Sequence, residues 1–290
     1  MLFSKRNVVQ TNKFMVVIGT SPLAMFLVNA LQKKGIEVVV LSSLDKKNER
    51  GNYVLKSANQ TQNVEVNFCK TLSRKPEYCF LASSYEEYKN DLFFLSDVFL
   101  RDVPVINFAS FYNKKIIEQM AQVDEIRAYF KGWLVKVKKE IYLLNRVSEV
   151  TICNNEATGI YLAELMTSNQ INVKEDKNND RVFWQEIAPC FLANLCLLAY
   201  KTDISVILAD NEKRKKVDTA VSEIVSLLKK EKQQIDEQKI LSDIYAFPDG
   251  YSSEFDSLKG IDALSKFVEG VDYFETPALF ELVSAAYKKY

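Results

Sequence analysis

Residues 14–41 read FMVVIGTSPLAMFLVNALQKKGIEVVVL, and their order decides the fold class. Phe14 to Ile18 form an apolar run rich in β-branched residues that stops at Gly19, the pattern of a strand buried on both faces. Ser21 stands where a hydroxyl caps a helix and Pro22 where proline suits the first helical turn. From Leu23 onward apolar residues recur at helical spacing until Gly35 ends the helix, and Glu37 to Leu41 supply a second strand. Strand, tight turn, helix and strand within about 30 residues make a βαβ unit, whose crossover is right-handed.

The chemistry lies in the turn. Gly19-Thr20-Ser21-Pro22-Leu23-Ala24 aligns with the dinucleotide pattern G-x-G-x-x-G/A, keeping its first glycine and its small last residue. The glycine permits the sharp bend, Ala24 lets helix pack close on strand, and the helix start offers partial positive charge and N–H groups to a diphosphate. Ser21 replaces the middle glycine, so either its hydroxyl faces the phosphate or its Cβ crowds it. Two readings stay open: a dinucleotide held by Gly19, Thr20, Ser21, Leu23 and Ala24, or a Rossmann-like core that binds none. After the second strand, Ser42-Ser43-Leu44-Asp45-Lys46-Lys47 has no acid at the strand end to hold a ribose 2′-hydroxyl. Hydroxyls such as Ser43 with two lysines suit a 2′-phosphate, hence NADPH, and equally suit a solvated basic loop.

The alternation continues. Tyr78 to Ala82 and Val103 to Phe108 read as strands, with a helix from Tyr85 to Leu100 between them. Ser83 and Asn107 then lie just past strand ends, where open parallel sheets bind ligands, or serve there as ordinary turn residues. Residues 126–153 alternate aromatic and β-branched side chains and read as meandering strands; a helix (155–170) and a short strand (171–173) follow. The polar run 174–180 marks a boundary, giving a Rossmann-like domain of residues 1–178 and a helical domain of residues 179–290. In the latter, Val182 to Tyr200 is apolar on nearly all faces and reads as a buried central helix. Residues 217–230, 235–245, 257–268 and 277–287 read as further helices. The class is α/β followed by all-α, an arrangement that places its site in the cleft between domains.

Composition removes several function classes. The 290 residues contain no histidine, which excludes serine and cysteine triads that need it and zinc sites with imidazole ligands. The 38 basic and 38 acidic residues cancel, so no global field gathers nucleic acid. The five cysteines are odd in number and lack a CxxC spacing, as buried free thiols in a reducing compartment do. The first residues lack the apolar core of a secretory signal, and the uncharged stretch from Ile187 to Tyr200 is too short for a membrane span. The expectation is a cytoplasmic protein acting on a small molecule, without a membrane or nucleic-acid partner.

These residues resemble the ketopantoate reductases, NADPH-dependent 2-oxoacid reductases built from a Rossmann domain and a helical domain. The resemblance spans nearly the whole chain. It rests on the GTSPLA turn with LVNALQKKGIEVVVLSS, on FWQEIAPCFLAN (residues 183–194), on Tyr251-Ser252-Ser253, and on TPALFEL (residues 276–282). It implies NADPH as cofactor, ketopantoate as substrate, Ser252 and Ser253 as substrate contacts, and a homodimer as a compatible state. In the family segment resembling residues 184–194, Trp184 and Asn194 remain, but Glu186 stands where the catalytic lysine belongs. The family glutamate is likewise missing from residues 263–270. Glu186 can replace the lysine as proton donor only if burial keeps it protonated; otherwise it is a surface or capping carboxylate. Lys259 and Lys266 are further candidates for the missing ammonium. Asn194, an amide inside an apolar run, needs a partner, either a ligand or a backbone carbonyl. Another 2-oxoacid substrate, or a non-catalytic relative binding a nucleotide or a protein, keeps the same fold.

Overall fold

The computed structural model describes residues 13–43, 50–57, 60–108, 124–132, 134–143, 148–153, 155–166, 171–230, 234–249 and 274–287. In chain order its elements begin with β1 (Phe14–Ile18), α1 (Pro22–Gln32), β2 (Glu37–Leu41), β3 (Arg50–Ser57), β4 (Gln60–Cys69), β5 (Cys79–Leu81), α2 (Tyr85–Asp91) and β6 (Val105–Asn107). They continue with β7 (Glu125–Lys131), β8 (Leu134–Val137), β9 (Glu140–Leu143), β10 (Ser148–Cys153), α3 (Glu156–Met166) and β11 (Ile171–Asp176). The helices α4 (Asn179–Tyr200), α5 (Ile204–Ala209), α6 (Asn211–Lys230), α7 (Glu237–Tyr245) and α8 (Pro277–Tyr287) complete the set. Two compact units result: Met1–Ile126 with Lys136–Ile141 and Ile160–Asn172, and Arg127–Val135 with Tyr142–Gly159 and Val173–Tyr290.

In the first unit the strand order β6-β5-β1-β2-β4-β3 puts the quoted strand at the centre. β1 pairs in parallel with β2 and β5, β5 with β6 and β2 with β4, while β3 runs antiparallel to β4. The order reverses at β1, the place in such sheets where a crevice opens beyond the carboxyl ends of the strands. Every residue of β1 is buried, as its apolar run requires. The hairpin β3–β4 was not part of the sequence reading. Its signal is period two: Val64, Val66 and Phe68 are buried while Glu65 and Asn67 between them are exposed.

The helix read over 85–100 is shorter than its periodicity suggests. It ends at Asp91, and two 3₁₀ turns follow, Leu92–Ser96 and Val98–Leu100. The reason is aspartate chemistry. Asp97 accepts the N–H of Phe99 at 2.9 Å and of Leu72 at 3.4 Å, and Asp91 turns inward, so both side chains compete with the helical ladder.

In the second unit β7 and β10 pair antiparallel, Tyr129 opposite Thr151. The central helix read over 182–200 is α4, with Leu192, Ala193 and Cys196 fully buried and α7 and α8 packed against it. Asn178 caps its start by accepting the Arg181 N–H at 2.9 Å, and Lys201, left-handed at φ 53°, ends it. Cys79, Cys153 and Cys196 are buried free thiols and Cys190 is exposed; burial pushes the Cys196 thiol up to about 12. Among the described residues no helix is long and apolar enough to cross a membrane. The helix read over 257–268, with Lys259 and Lys266, lies outside the described residues.

Candidate functional site

At the carboxyl end of β1, Gly19 has φ +109°, and its N–H donates to the Leu41 carbonyl at 2.9 Å. A Cβ added there would stand 2.4 Å from the Ser83 Cα, so the turn lies directly against the exit of β5. Ser21 is the N-cap of α1: its hydroxyl accepts the Ala24 N–H at 3.1 Å and donates to the Ala82 carbonyl. That hydroxyl is therefore spent inside the fold rather than turned outward. Ala24 is fully buried, as close packing of helix on strand demands, and Leu23 is half-buried in the first turn of α1. Pro22 carries no N–H, so Ser21 and Leu23 hold the remaining main-chain donors of the turn.

The Thr20 N–H is already engaged. It donates to a carboxylate oxygen of Glu87 at 2.9 Å, and the Thr20 hydroxyl donates to the other oxygen. One helical turn further along α2, the fully buried Asp91 accepts the Ser43 N–H at 2.8 Å and the Ser83 hydroxyl at 2.6 Å. Two carboxylates of α2 thus tie together the carboxyl ends of β1, β2 and β5. Their positions three and seven residues past the Ser84 cap supplied the signal, an acid pair at i and i+4 on one helix face.

Burial pushes the Asp91 carboxyl above its ordinary value of 3.8; the Ser83 and Ser43 hydrogen bonds pull it back, and the nearby Glu87 charge raises it again. A raised folded value means that the folded state holds this proton more tightly than the unfolded chain. The stabilisation from Asp91 is then greatest below 3.8 and is lost as pH rises through the folded value. Asp91→Asn should keep both contacts, since the Ser83 hydroxyl also lies 3.5 Å from the Ile18 carbonyl and can turn to it while accepting the new amide. We expect the urea midpoint of wild type, relative to Asp91→Asn, to fall as pH is raised from about 4 to about 8. Parallel curves for the two proteins would refute this assignment.

A cavity of about 480 Å³ opens at the carboxyl ends of β2 and β4, lined by Ser42, Ser43, Lys70, Lys89, Asn90 and Phe93 among others. Phe93 is 77% exposed, an aromatic face on the cavity rim. Two ammonium groups, two serines and an exposed ring suit a phosphate attached to a planar base. Lys46 and Lys47, the lysines that follow Ser43 in sequence, lie outside the described residues. Lys70 and Lys89 come from β4's exit and from α2, separated in sequence from Ser43, so only the sheet order brings them to it. Asn107 is elsewhere: fully buried at the end of β6, its amide donates to Glu125 at 2.6 Å.

In the second unit Glu186 of α4 meets Lys239 of α7, with Nζ to Oε1 at 3.0 Å. Lys239 also lies 3.9 Å from Asp243, which pairs in turn with Lys131. The Glu186 side chain is 12% exposed and that of Lys239 34%. Gln185 sets this geometry. Its buried amide donates to the Asp236 carbonyl at 3.1 Å and accepts the Asp236 N–H at 2.9 Å, clamping the start of α7 onto α4. Lys239 follows one turn later. Sequence reading singled out Glu186 and missed Lys239, which is 53 residues away. The Asn194 amide donates to the Cys190 carbonyl of its own helix at 2.8 Å, rather than to a carbonyl at the domain junction. Ser252 and Ser253 lie outside the described residues.

The first unit carries a Rossmann-type parallel sheet, and the second carries the β7–β10 pair and the helices α4 to α8. No family model matches the sequence, and no curated protein matches it either. Solved structures do. A ternary structure of D-mandelate dehydrogenase with NADH and anilino(oxo)acetate matches over 95% of this chain and 97% of its own, with a TM-score of 0.77 and 15% identity. A PanE/ApbA family ketopantoate reductase from Ralstonia eutropha JMP134 matches over 95% and 99%, at 0.75 and 13%. The dimeric ketopantoate reductase of Staphylococcus aureus matches over 95% and 98%, at 0.72 and 13%. The chain therefore has the ketopantoate reductase fold, and the resemblance read from its turn and helical half holds at that level.

Proposed function

We propose that this protein is a divergent ketopantoate reductase relative that uses NADPH to reduce a small 2-oxoacid, ketopantoate in the first instance. What carries the reading is the cavity at the carboxyl end of β2, the strand next to β1, which Lys70 and Lys89 line together with the serines that end β2. These groups suit a 2′-phosphate, Phe93 suits the adenine face, and the N–H groups of Ser21 and Leu23 at the start of α1 suit a diphosphate oxygen. A bound NADPH would supply the hydride. Gly19, Thr20, Ala24, Ser83 and Asn107 shape that edge of the sheet. In this reading residues 1–178 form the nucleotide domain and residues 179–290 the substrate domain, although Arg127–Val135, Tyr142–Gly159 and residues 173–178 belong to the second compact unit.

A 2-oxoacid becoming a 2-hydroxyacid needs a proton at its ketone oxygen. Lys239 supplies an ammonium proton there, and Glu186, hydrogen-bonded to it, orients the group and restores its charge balance. The pair thus places an ammonium beside the position where the family lysine is lost. Asn194 lies about two turns further along α4 with its amide on the Cys190 carbonyl, and Ser252 and Ser253 contact the substrate in this reading. The protein is read as cytoplasmic, and a homodimer like that of the S. aureus enzyme is the assembly proposed.

The experiment is a titration of NADPH and NADH followed by fluorescence, then NADPH oxidation with ketopantoate. Lys89→Glu should weaken NADPH binding by roughly tenfold and NADH binding less, because only NADPH carries the 2′-phosphate. Equal losses for the two coenzymes would remove the 2′-phosphate assignment. The second reading, a non-catalytic relative, draws on the acid at position 186 and on Glu87 at the turn; binding without turnover over several 2-oxoacids would establish it.

A further inference from the structure

We propose that Glu87 is an internal anion that occupies part of the diphosphate subsite of the α1 turn, so that a dinucleotide binds tightly there only once Glu87 releases Thr20. The inference rests on the dinucleotide reading above. Glu87 is 6% exposed and Thr20 2%, and the carboxylate takes both the N–H and the hydroxyl of Thr20. Its two oxygens therefore occupy donors of the same turn that a dinucleotide-binding helix start offers to a diphosphate. A capping role for α2 does not require this. The capping box at Ser84 needs the Glu87 carboxylate only at the Ser84 N–H, which lies 3.5 Å away, longer than the contact to Thr20.

Two anions cannot share this helix start without repulsion, and the turn is short of donors to divide between them. Pro22 has no N–H, the Ser21 hydroxyl is bonded to Ala82 and Ala24, and the Gly19 N–H is bonded to Leu41, which leaves the N–H groups of Ser21 and Leu23 for a diphosphate next to the Glu87 charge. Asp91 behind it is fully buried on Ser43 and Ser83 and is fixed. Glu87 is the movable member of the pair. On release it keeps the Ser84 N–H of the capping box as a resting place. Dinucleotide affinity is thus set by competition with a side chain of the same protein.

The test compares wild type, Glu87→Gln and Glu87→Ala by calorimetric titration with NADPH and NADH, with thermal melting of each protein before and after ligand. Gln removes the charge and keeps one oxygen for the Thr20 N–H, while its NH2 replaces the other oxygen and donates to the Thr20 hydroxyl. Both variants should bind NADPH more tightly than wild type, by roughly tenfold or more, and NADH likewise, since the diphosphate is common to both. Glu87→Ala without ligand should melt below wild type, because the buried Thr20 donors lose their acceptor. Binding by wild type that is unchanged or weakened in both variants overturns the latch and leaves the cofactor reading intact. No binding by any of the three, each folded by circular dichroism, overturns the cofactor reading and the latch with it.

Discussion

Gly19→Ala is expected to destabilise the first unit by about 3–5 kcal/mol and to lower its melting temperature by roughly 10 °C. Two penalties add. At φ +109° an L side chain is strained whatever space surrounds it. Space is also missing: the new Cβ would meet the Ser83 Cα at 2.4 Å and the Ser83 nitrogen at 2.7 Å, backbone atoms that move only if β5 moves. β5 is hydrogen-bonded to β1 on one side and β6 on the other, so the displacement would disturb the centre of the sheet. Gly35→Ala is the control. It carries a positive φ of +72° with nothing within 4 Å, and should cost only about 1–2 kcal/mol. Thermal melts followed by circular dichroism compare the two. Equal shifts would mean that crowding against Ser83 contributes nothing and that φ alone matters.

Lys239→Met should lower the turnover of ketopantoate by roughly 10²-fold or more while NADPH affinity stays the same. Methionine keeps roughly the length of the lysine stem toward α4 and removes the ammonium group assigned to the ketone oxygen. Glu186→Gln should cost a comparable factor, because the amide no longer balances or aims the ammonium. If the two act as one device, the double variant should be no slower than the worse single one. Multiplied losses would instead describe two independent contributions. Unchanged kcat in both, with a lowered melting temperature, would reduce the pair to a structural ion pair between helices.

Local patterns were legible because their causes are local. The fifteen or so residues around Gly19 carried the strand, the bend, the Ser21 cap and the helix in their order, and the central helix α4 showed in its all-round apolarity. What escaped depends on tertiary position. Asp91 and Asp97 end the helix after α2's seven residues because strand ends supply donors that no sequence window contains. Glu87 reads as an ordinary capping-box acid until β5 brings α2 to the β1 turn. Nothing in the sequence around Lys70, Lys89 and Lys239 sets them apart from other lysines, for the same reason. Ser21 is the instructive case: the reading offered its hydroxyl to a phosphate, and capping of its own helix claimed it first.

The double hydrogen bond of Gln185 to the backbone of Asp236 fixes where the stem of residue 239 leaves α7, whatever group that side chain carries at its tip. The helix pair behaves as a socket with one addressable position: a side chain introduced there starts from the same point beside Glu186, and its partner on α4 aims the tip. Reprogramming the proton donor, or fitting a non-native functional group, thus requires no redesign of the backbone that holds it.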